Sequence, residues 1–253
     1  MNESIILETK NLVKNFNGTL AVNGLNLRVQ KGHIHALIGP NGAGKTTVFS
    51  LLTGFLTPTS GDIFFQGEKV TRKNPALLAA QGLVRSFQIS AVFADFTALE
   101  NVRVALQNSR VNSYSFWKSE ESLNSLNTLA LDLLQQVGIA EFQSTAAGEL
   151  SYGRKRALEI ATTLAADPSV MLLDEPTAGM GHEDVGLITN LIKKVATNRT
   201  VLLVEHNLKV VSTLADRITV LQRGAILSEG SYDVVAADPR VIEAYMGVVE
   251  NVG

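Results

Sequence analysis

The chain has 253 residues, 45% hydrophobic and 18% charged, a composition that supports a sizeable buried core and excludes intrinsic disorder. Its 22 basic and 24 acidic residues leave a formal charge of −2, with no basic excess of the kind that grips nucleic acid. There is no cysteine, which excludes a disulfide framework and thiolate metal sites and fits the cytosol.

Mean hydropathy is +0.15, high for a protein without a membrane span. Even so, no uncharged apolar run approaches the roughly 18 to 20 residues needed to cross a bilayer. The opening MNESIILETKNLVK also lacks the basic-then-apolar layout of a signal peptide. The expectation is a soluble chain with apolar surface that a partner covers.

In chain order, Leu25, Leu27 and Val29 alternate with Asn26, Arg28 and Gln30, the period of one half-buried strand. Lys31-Gly32 is a turn. Residues 33–39 (HIHALIG) form a buried strand that stops at a Gly-rich loop, and a helix follows over about 44–53, ended by Gly54. Residues 62–65 make a short strand between Gly61 and Gly67. Asn74-Pro75 sets an N-cap with proline at the first helical position, and Gly82 closes that helix.

Residues from about 89 to 165 are predicted helical, with Leu126, Leu129, Leu133, Leu134 and Val137 on one stripe. Residues 108–125 are polar and rich in Ser and Asn, as in an exposed loop or short helix. From Ser169 the strands SVMLLDE, TVLLVE and RITVLQ alternate with helices, one of them carrying Val185, Ile188, Leu191, Ile192 and Val195. A hairpin around Gly224 and two short helices, over about 231–246, end the chain. Such alternation predicts an α/β fold with a parallel sheet covered on both faces. The organisation read here is one domain over residues 1–253 with a helical insertion.

Residues 39–47 read GPNGAGKTT and match the phosphate-loop pattern at Gly39, Gly44, Lys45 and Thr46. Glycine lets this backbone curl so that successive N–H groups face one anion. Pro40, Asn41, Gly42, Ala43 and Thr47 complete the loop. The helix starting near Gly44 adds the positive end of its dipole. Lys45 is expected to reach the β and γ phosphates of a nucleotide, and the Thr46 hydroxyl to ligate Mg2+. A phosphate loop alone does not separate kinases, GTPases and transport ATPases.

The run VMLLDE places Asp174 and Glu175 at the C-terminal end of a strand, where open α/β sheets bind ligands. Asp174 is the candidate for holding Mg2+, and Glu175 for polarising an attacking water. His33 and His35 share one strand face and bring no further ligand nearby in sequence; a packed strand is the simpler expectation.

Between these motifs, GELSYGRKRALEIATTLAADP resembles the signature stretch of the ATP-binding cassette family, usually LSGGQ. Here it reads Leu150, Ser151, Tyr152, Gly153, Arg154, departing from the pattern at Tyr152 and Arg154. Ser151 and Gly153 stand at a helix N-terminus suited to a γ-phosphate; Ser151 is equally suited to capping that helix. The resemblance spans nearly the whole chain. Gln88 in VRSFQ matches the family's glutamine loop, implying contact with Mg2+ and the water. His206 in LLVEH matches the switch histidine, and Phe16 in LVKNFNG the aromatic that stacks on adenine. Taken singly, His206 is also compatible with a structural role and Phe16 with the core. Where the family usually has an interface Asp after EPTAGM, this chain has Gly181 and then His182.

The family implies a P-loop NTPase (RecA-like) core, an N-terminal antiparallel β subdomain, a helical subdomain at about 89–165, and hydrolysis of ATP with Mg2+. It implies as partners a second cassette, the same or different, paired head to tail, together with integral permease subunits and a separate solute-binding protein. The expected location is cytoplasmic, peripheral on the inner face of the membrane. LSYG, RSFQ, EPTAGM, EHNLKVV and DPRVIEAYMG resemble the branch that imports branched-chain amino acids, urea or amides, and the polar insertion resembles the longer of that system's two cassettes. A lipid or lipopolysaccharide exporter subunit is the alternative within transport. Outside it, a translation or repair cassette would usually bring two cassettes or a long coiled coil, and a GTPase an N-K-x-D motif; the chain has none of these. Ile89, Val92, Phe93 and Phe96 are the candidate surface for a helix of a membrane subunit, or else part of the core, which periodicity does not separate.

Overall fold

A computed structural model describes residues 4–86, 92–110 and 120–246. The chain opens with a long strand, β1 (Ile5–Phe16), which turns through Asn17 and Gly18 into β2 (Thr19–Leu25). Both turn residues have positive φ, 48° and 100°, the backbone of a two-residue hairpin whose twist matches its strands.

The strand expected over 25–30 is interrupted. Leu25 ends β2 opposite Leu12 of β1, whereas β3 (Arg28–Gln30) pairs with the other end of β1, at Ile5 to Glu8. The Thr9 hydroxyl bridges the break, donating to the Leu25 carbonyl at 2.9 Å and accepting from the Leu27 N–H at 2.8 Å. Alternation survives across the break: Leu25, Leu27 and Val29 are all buried.

Next come the fully buried β4 (Ile34–Ile38) and, after the Gly-rich loop, helix α1 (Lys45–Leu52). β5 (Ser60–Phe65) returns to pair with β1, and β6 (Glu68–Lys69) adds an edge that the sequence did not announce. Helix α2 (Pro75–Ala80) starts as expected: the Asn74 side chain accepts from the Leu77 N–H at 2.9 Å. β7 (Leu83–Arg85) follows.

Helices α3 (Ala98–Arg110), α4 (Glu120–Gln136) and α5 (Tyr152–Leu164) lie in sequence between β7 and β8 (Val170–Asp174). A reciprocal capping box starts α3. Thr97 N–H donates to Glu100 at 2.8 Å, and Glu100 N–H to the Thr97 hydroxyl at 3.2 Å. Leu134 on α4 and Val137 just past its end are buried, and Leu126, Leu129 and Leu133 pack against the same core. The rest alternates as predicted: α6 (His182–Val195), β9 (Thr200–Val204), α7 (Leu208–Leu214), β10 (Arg217–Gln222), β11 (Ala225–Gly230), α8 (Tyr232–Ala236) and α9 (Pro239–Met246).

The second sheet runs β11-β10-β4-β9-β8-β7, parallel except for β11. Its residues alternate between two cores, as the pleat requires. Ala36, Met171, Leu173, Val201 and Leu203 face the helical cluster. Leu37, Leu172, Leu202 and Val204 face the cluster of the antiparallel sheet and α1, with Phe49, Ile63 and Phe65. Each side chain of this size contributes about 1.5–3 kcal/mol on full burial. Because β4, β8 and β9 are parallel neighbours, the loops that follow all three emerge at one edge of the sheet.

Candidate nucleotide site

The loop from Gly39 to Gly44 connects β4 to α1. Gly39, Gly42 and Gly44 have φ of 148°, 78° and 101°. Two of these positions admit no side chain. A Cβ on Gly39 would lie 2.2 Å from the Leu221 carbonyl oxygen, and one on Gly44 2.3 Å from that of Ala21. The Lys45 ammonium donates to the carbonyls of Gly39 at 2.7 Å and Pro40 at 3.0 Å. Burial holds Lys45 below the ordinary lysine range, against the opposing pull of the Glu175 and Asp174 carboxylates. Asn41, Gly42 and Thr46 are exposed, and Thr47 is partly so.

Asp174 ends β8. Its Oδ2 is paired with Arg85 Nη2 at 2.5 Å, while its buried Oδ1 has no partner. An acidic oxygen left so suits a hard cation, so the Mg2+ role expected of Asp174 is compatible with this orphaned oxygen. Glu175 sits at φ 46°, in the left-handed region. Its N–H still bonds the Val204 carbonyl at 2.9 Å, so β9 holds the turn. His206, just past β9, brings Nε2 to 2.8 Å from Glu175 Oε1. The two residues singled out for chemistry therefore meet across adjacent strand ends.

Phe16, at the end of β1, is 43% exposed and is not part of the core; Lys14 Nζ lies 5.0 Å from its ring centroid. Ser151 is the N-cap residue of α5, but its hydroxyl makes no capping bond, so the capping expectation fails and the hydroxyl stays exposed. The departures from LSGGQ have local partners: Tyr152 donates to the Ala178 carbonyl at 3.1 Å, and Arg154 stacks on Phe142 at 3.9 Å. Gly153 is buried, and a Cβ there would come within 2.5 Å of an Asp184 oxygen. Gly181 caps α6 with open space around it.

Phe93 and Phe96 are 54% and 43% exposed, with ring centroids 5.1 Å apart. They are surface residues, whereas Val92 packs on the core. Asn101 pins their loop, accepting from Phe93 N–H at 2.7 Å and donating to three of its carbonyls. Gln88 and Ile89 lie outside the described residues. His35 is fully buried against the Thr219 hydroxyl at 2.8 Å, a packing role.

The ABC transporter family matches residues 22–178, a stretch that holds the buried strand, the phosphate loop with its helix, and the acid pair. The chain belongs to the ABC transporter family. A second match, described as branched-chain amino acid ATP-binding cassette transporter, covers residues 225–251. The chain is 40% identical to the high-affinity branched-chain amino acid transport ATP-binding protein BraF of Pseudomonas aeruginosa, over 96% of this chain and 98% of that one. It is 37% identical to the corresponding LivG protein of Escherichia coli K12, again over 96% and 98%. A crystal structure of the ADP conformation of an ATP-binding cassette of an ABC transporter superposes with a TM-score of 0.86 at 32% identity, over 96% of this chain and 99% of that one. The cassette thus has the P-loop NTPase fold, binds nucleotide and is an ATPase. No helix among its described residues is long and apolar enough to cross a membrane.

The cassette also uses residues that sequence reasoning passed over. Arg85 was legible only as part of VRSFQ; its partner Asp174 is 89 positions away. Glu205 stands between an apolar strand and His206, and its buried carboxylate gathers four donors. Tyr245, on α9, hydrogen-bonds the Gly39 backbone, and burial raises its phenol above the ordinary range. A charged residue closing an apolar run was the available signal for Glu205; for Tyr245 there was none.

Proposed function

We propose that the cassette powers the import of branched-chain amino acids, hydrolysing ATP on the cytoplasmic face of a membrane whose permease subunits are separate chains. The observation that carries the hydrolytic part is the 2.8 Å approach of His206 to Glu175 beside the phosphate loop. The substrate class is supported by the match at residues 225–251 and by the names of BraF and LivG.

In this mechanism, Phe16 offers its exposed face to adenine, a stack worth about 1–3 kcal/mol. The backbone from Gly39 through Thr47 cradles the phosphates. Lys45 exchanges the Gly39 and Pro40 carbonyls, now 2.7 and 3.0 Å away, for the β and γ phosphates. Thr46, Asp174 and Gln88 would hold Mg2+, which supplies charge neutralisation at the phosphates. Glu175 orients the attacking water and accepts its proton. His206 steadies Glu175 and reaches the γ-phosphate.

Ser151 and Gly153 serve a second cassette, its own twin or a different one, docked head to tail. The free Ser151 hydroxyl supports this role, because capping does not consume it. The exposed pair Phe93 and Phe96 receives the permease. A solute-binding protein on the other side of the membrane delivers the cargo.

The test is reconstitution with the permeases and binding protein in vesicles. ATP-dependent uptake of leucine, isoleucine and valine is expected. Uptake of urea or amides alone would move the cassette to that other importer class.

A further inference from the structure

The turns that carry Glu175 and His206 leave two different strands, yet their side chains meet at 2.8 Å. One buried carboxylate ties these turns together. Glu205 is only 3% exposed. Its Oε1 accepts from the Thr177 N–H at 3.1 Å and, at shorter range, from the Thr177 hydroxyl. Its Oε2 accepts from the N–H groups of His206 at 2.9 Å and Asn207 at 3.1 Å. One oxygen therefore holds the turn after β8, two residues beyond Glu175, and the other holds the turn after β9, at His206 itself.

Four donors match the roughly four acceptor sites of an ionised carboxylate. Both turns are also anchored on their far sides. Ala178 N–H donates to the Glu175 carbonyl at 3.1 Å, and the Asn207 side chain caps α7. The two anchored units meet through Glu205 and through the Glu175–His206 contact.

We propose that Glu205 is a positioning residue that sets the register of His206 against Glu175. This rests on the hydrolytic roles given to those two residues above. Glu205 itself touches neither nucleotide nor water in this scheme. It fixes two turns relative to one another, so a change in either turn is felt by both reacting side chains. A glutamine in its place keeps the shape but turns an amide NH2 either against the N–H groups of His206 and Asn207 or against the Thr177 N–H, and so loosens one turn from the other.

The experiment is steady-state ATPase of the full chain with Glu205→Gln, His206→Ala and the double variant, read as kcat and KM separately. Glu205→Gln is expected to lower kcat about 10- to 100-fold with KM changed no more than about twofold, the pattern of an interaction felt in the transition state. In the His206→Ala background the same substitution is expected to cost no more than about twofold, because residues acting as a unit are non-additive.

Thr177→Val, which deletes the hydroxyl donor and keeps the backbone N–H, is expected to shift kcat in the same direction by about three- to tenfold in a protein that still melts cooperatively, with Tm lowered by no more than about 10 °C. It decides the matter if Glu205→Gln does not fold. Full multiplicative effects in the double variant, or a normal kcat in Thr177→Val, would overturn the proposal. If His206→Ala and Glu175→Gln both keep full ATPase, the hydrolytic assignment fails instead, a result separable from any outcome at Glu205.

Discussion

Arg85 closes on Asp174, Nη2 to Oδ2 at 2.5 Å, at the last residue of both β7 and β8, with side chains 12% and 0% exposed. The guanidinium also reaches the Ser50 hydroxyl at 3.3 Å and lies over the Phe49 ring at 5.8 Å. Such a pair is costly to break from one side, because the carboxylate that remains is buried without its hydrogen-bonded partner. Arg85→Met is therefore expected to destabilise the cassette by about 3–5 kcal/mol in urea denaturation. Adding Asp174→Asn should return a substantial part of that loss. If the double variant is no more stable than Arg85→Met, the guanidinium's packing on Phe49 is the dominant contribution.

His35 carries the second prediction. Burial lowers its pKa from 6.5 to about 3, reinforced by the nearby charges of Arg217 and His33. The folded state thus refuses a proton that the unfolded state accepts below 6.5. The stability associated with neutral His35 is fully present above pH 6.5 and falls as the pH drops from 6.5 towards 3. Within that window the slope approaches about 1.4 kcal/mol per pH unit. His35→Gln keeps a polar partner for Thr219 and should flatten the decline between pH 7 and pH 5. Equal slopes for both proteins would remove His35 from the acid response.

The exposed pair gives the third. Phe93 is 54% exposed and, among the described residues, its ring pairs with that of Phe96. Phe93→Asp should therefore leave Tm within about a degree or two, as is usual for surface changes. Basal ATPase of the isolated cassette should persist, while ATP-dependent uptake in vesicles with the permeases is lost. Normal uptake would mean that the permease docks elsewhere.

Much of this site was legible because its signals are local. The phosphate loop, the VMLLDE run and the Asn74 cap are short patterns with one mechanical meaning each, and the structure places each where its pattern demanded. Alternation of strands and helices gave the parallel sheet for the same reason. The break at Asn26 escaped because it depends on Thr9, 18 positions from Leu27, and periodicity carries no information about a partner strand. Arg85 and Glu205 escaped likewise: each holds a partner 28 or more positions away, Asp174 and Thr177. Exposure of Phe16 and Phe93 was also undecidable beforehand, since an aromatic beside an apolar run reads alike inside or outside.

The last prediction concerns Glu175 and the closed dimer. Glu175→Gln preserves shape and keeps a hydrogen-bond acceptor for His206 at the 2.8 Å contact. It removes the base that takes the proton from water, so turnover is expected to fall by about 100-fold or more while ATP binding remains. Loss of a negative charge near the γ-phosphate also favours the ATP-bound, closed arrangement electrostatically. With Mg2+ and ATP the variant should accumulate as a dimer by light scattering, alone or only when a second, different cassette is supplied. The exposed, uncapped Ser151 is what closure requires of each partner. Adding Ser151→Arg should dissolve the trapped species without changing ATP affinity at the phosphate loop, which lies on a different element. ATP can drive closure only through its greater affinity for that state, so the dimer must vanish when ATP is withheld. A dimer indifferent to ATP would defeat the head-to-tail arrangement. A monomer that binds ATP yet never pairs, with or without the second cassette, would defeat it equally.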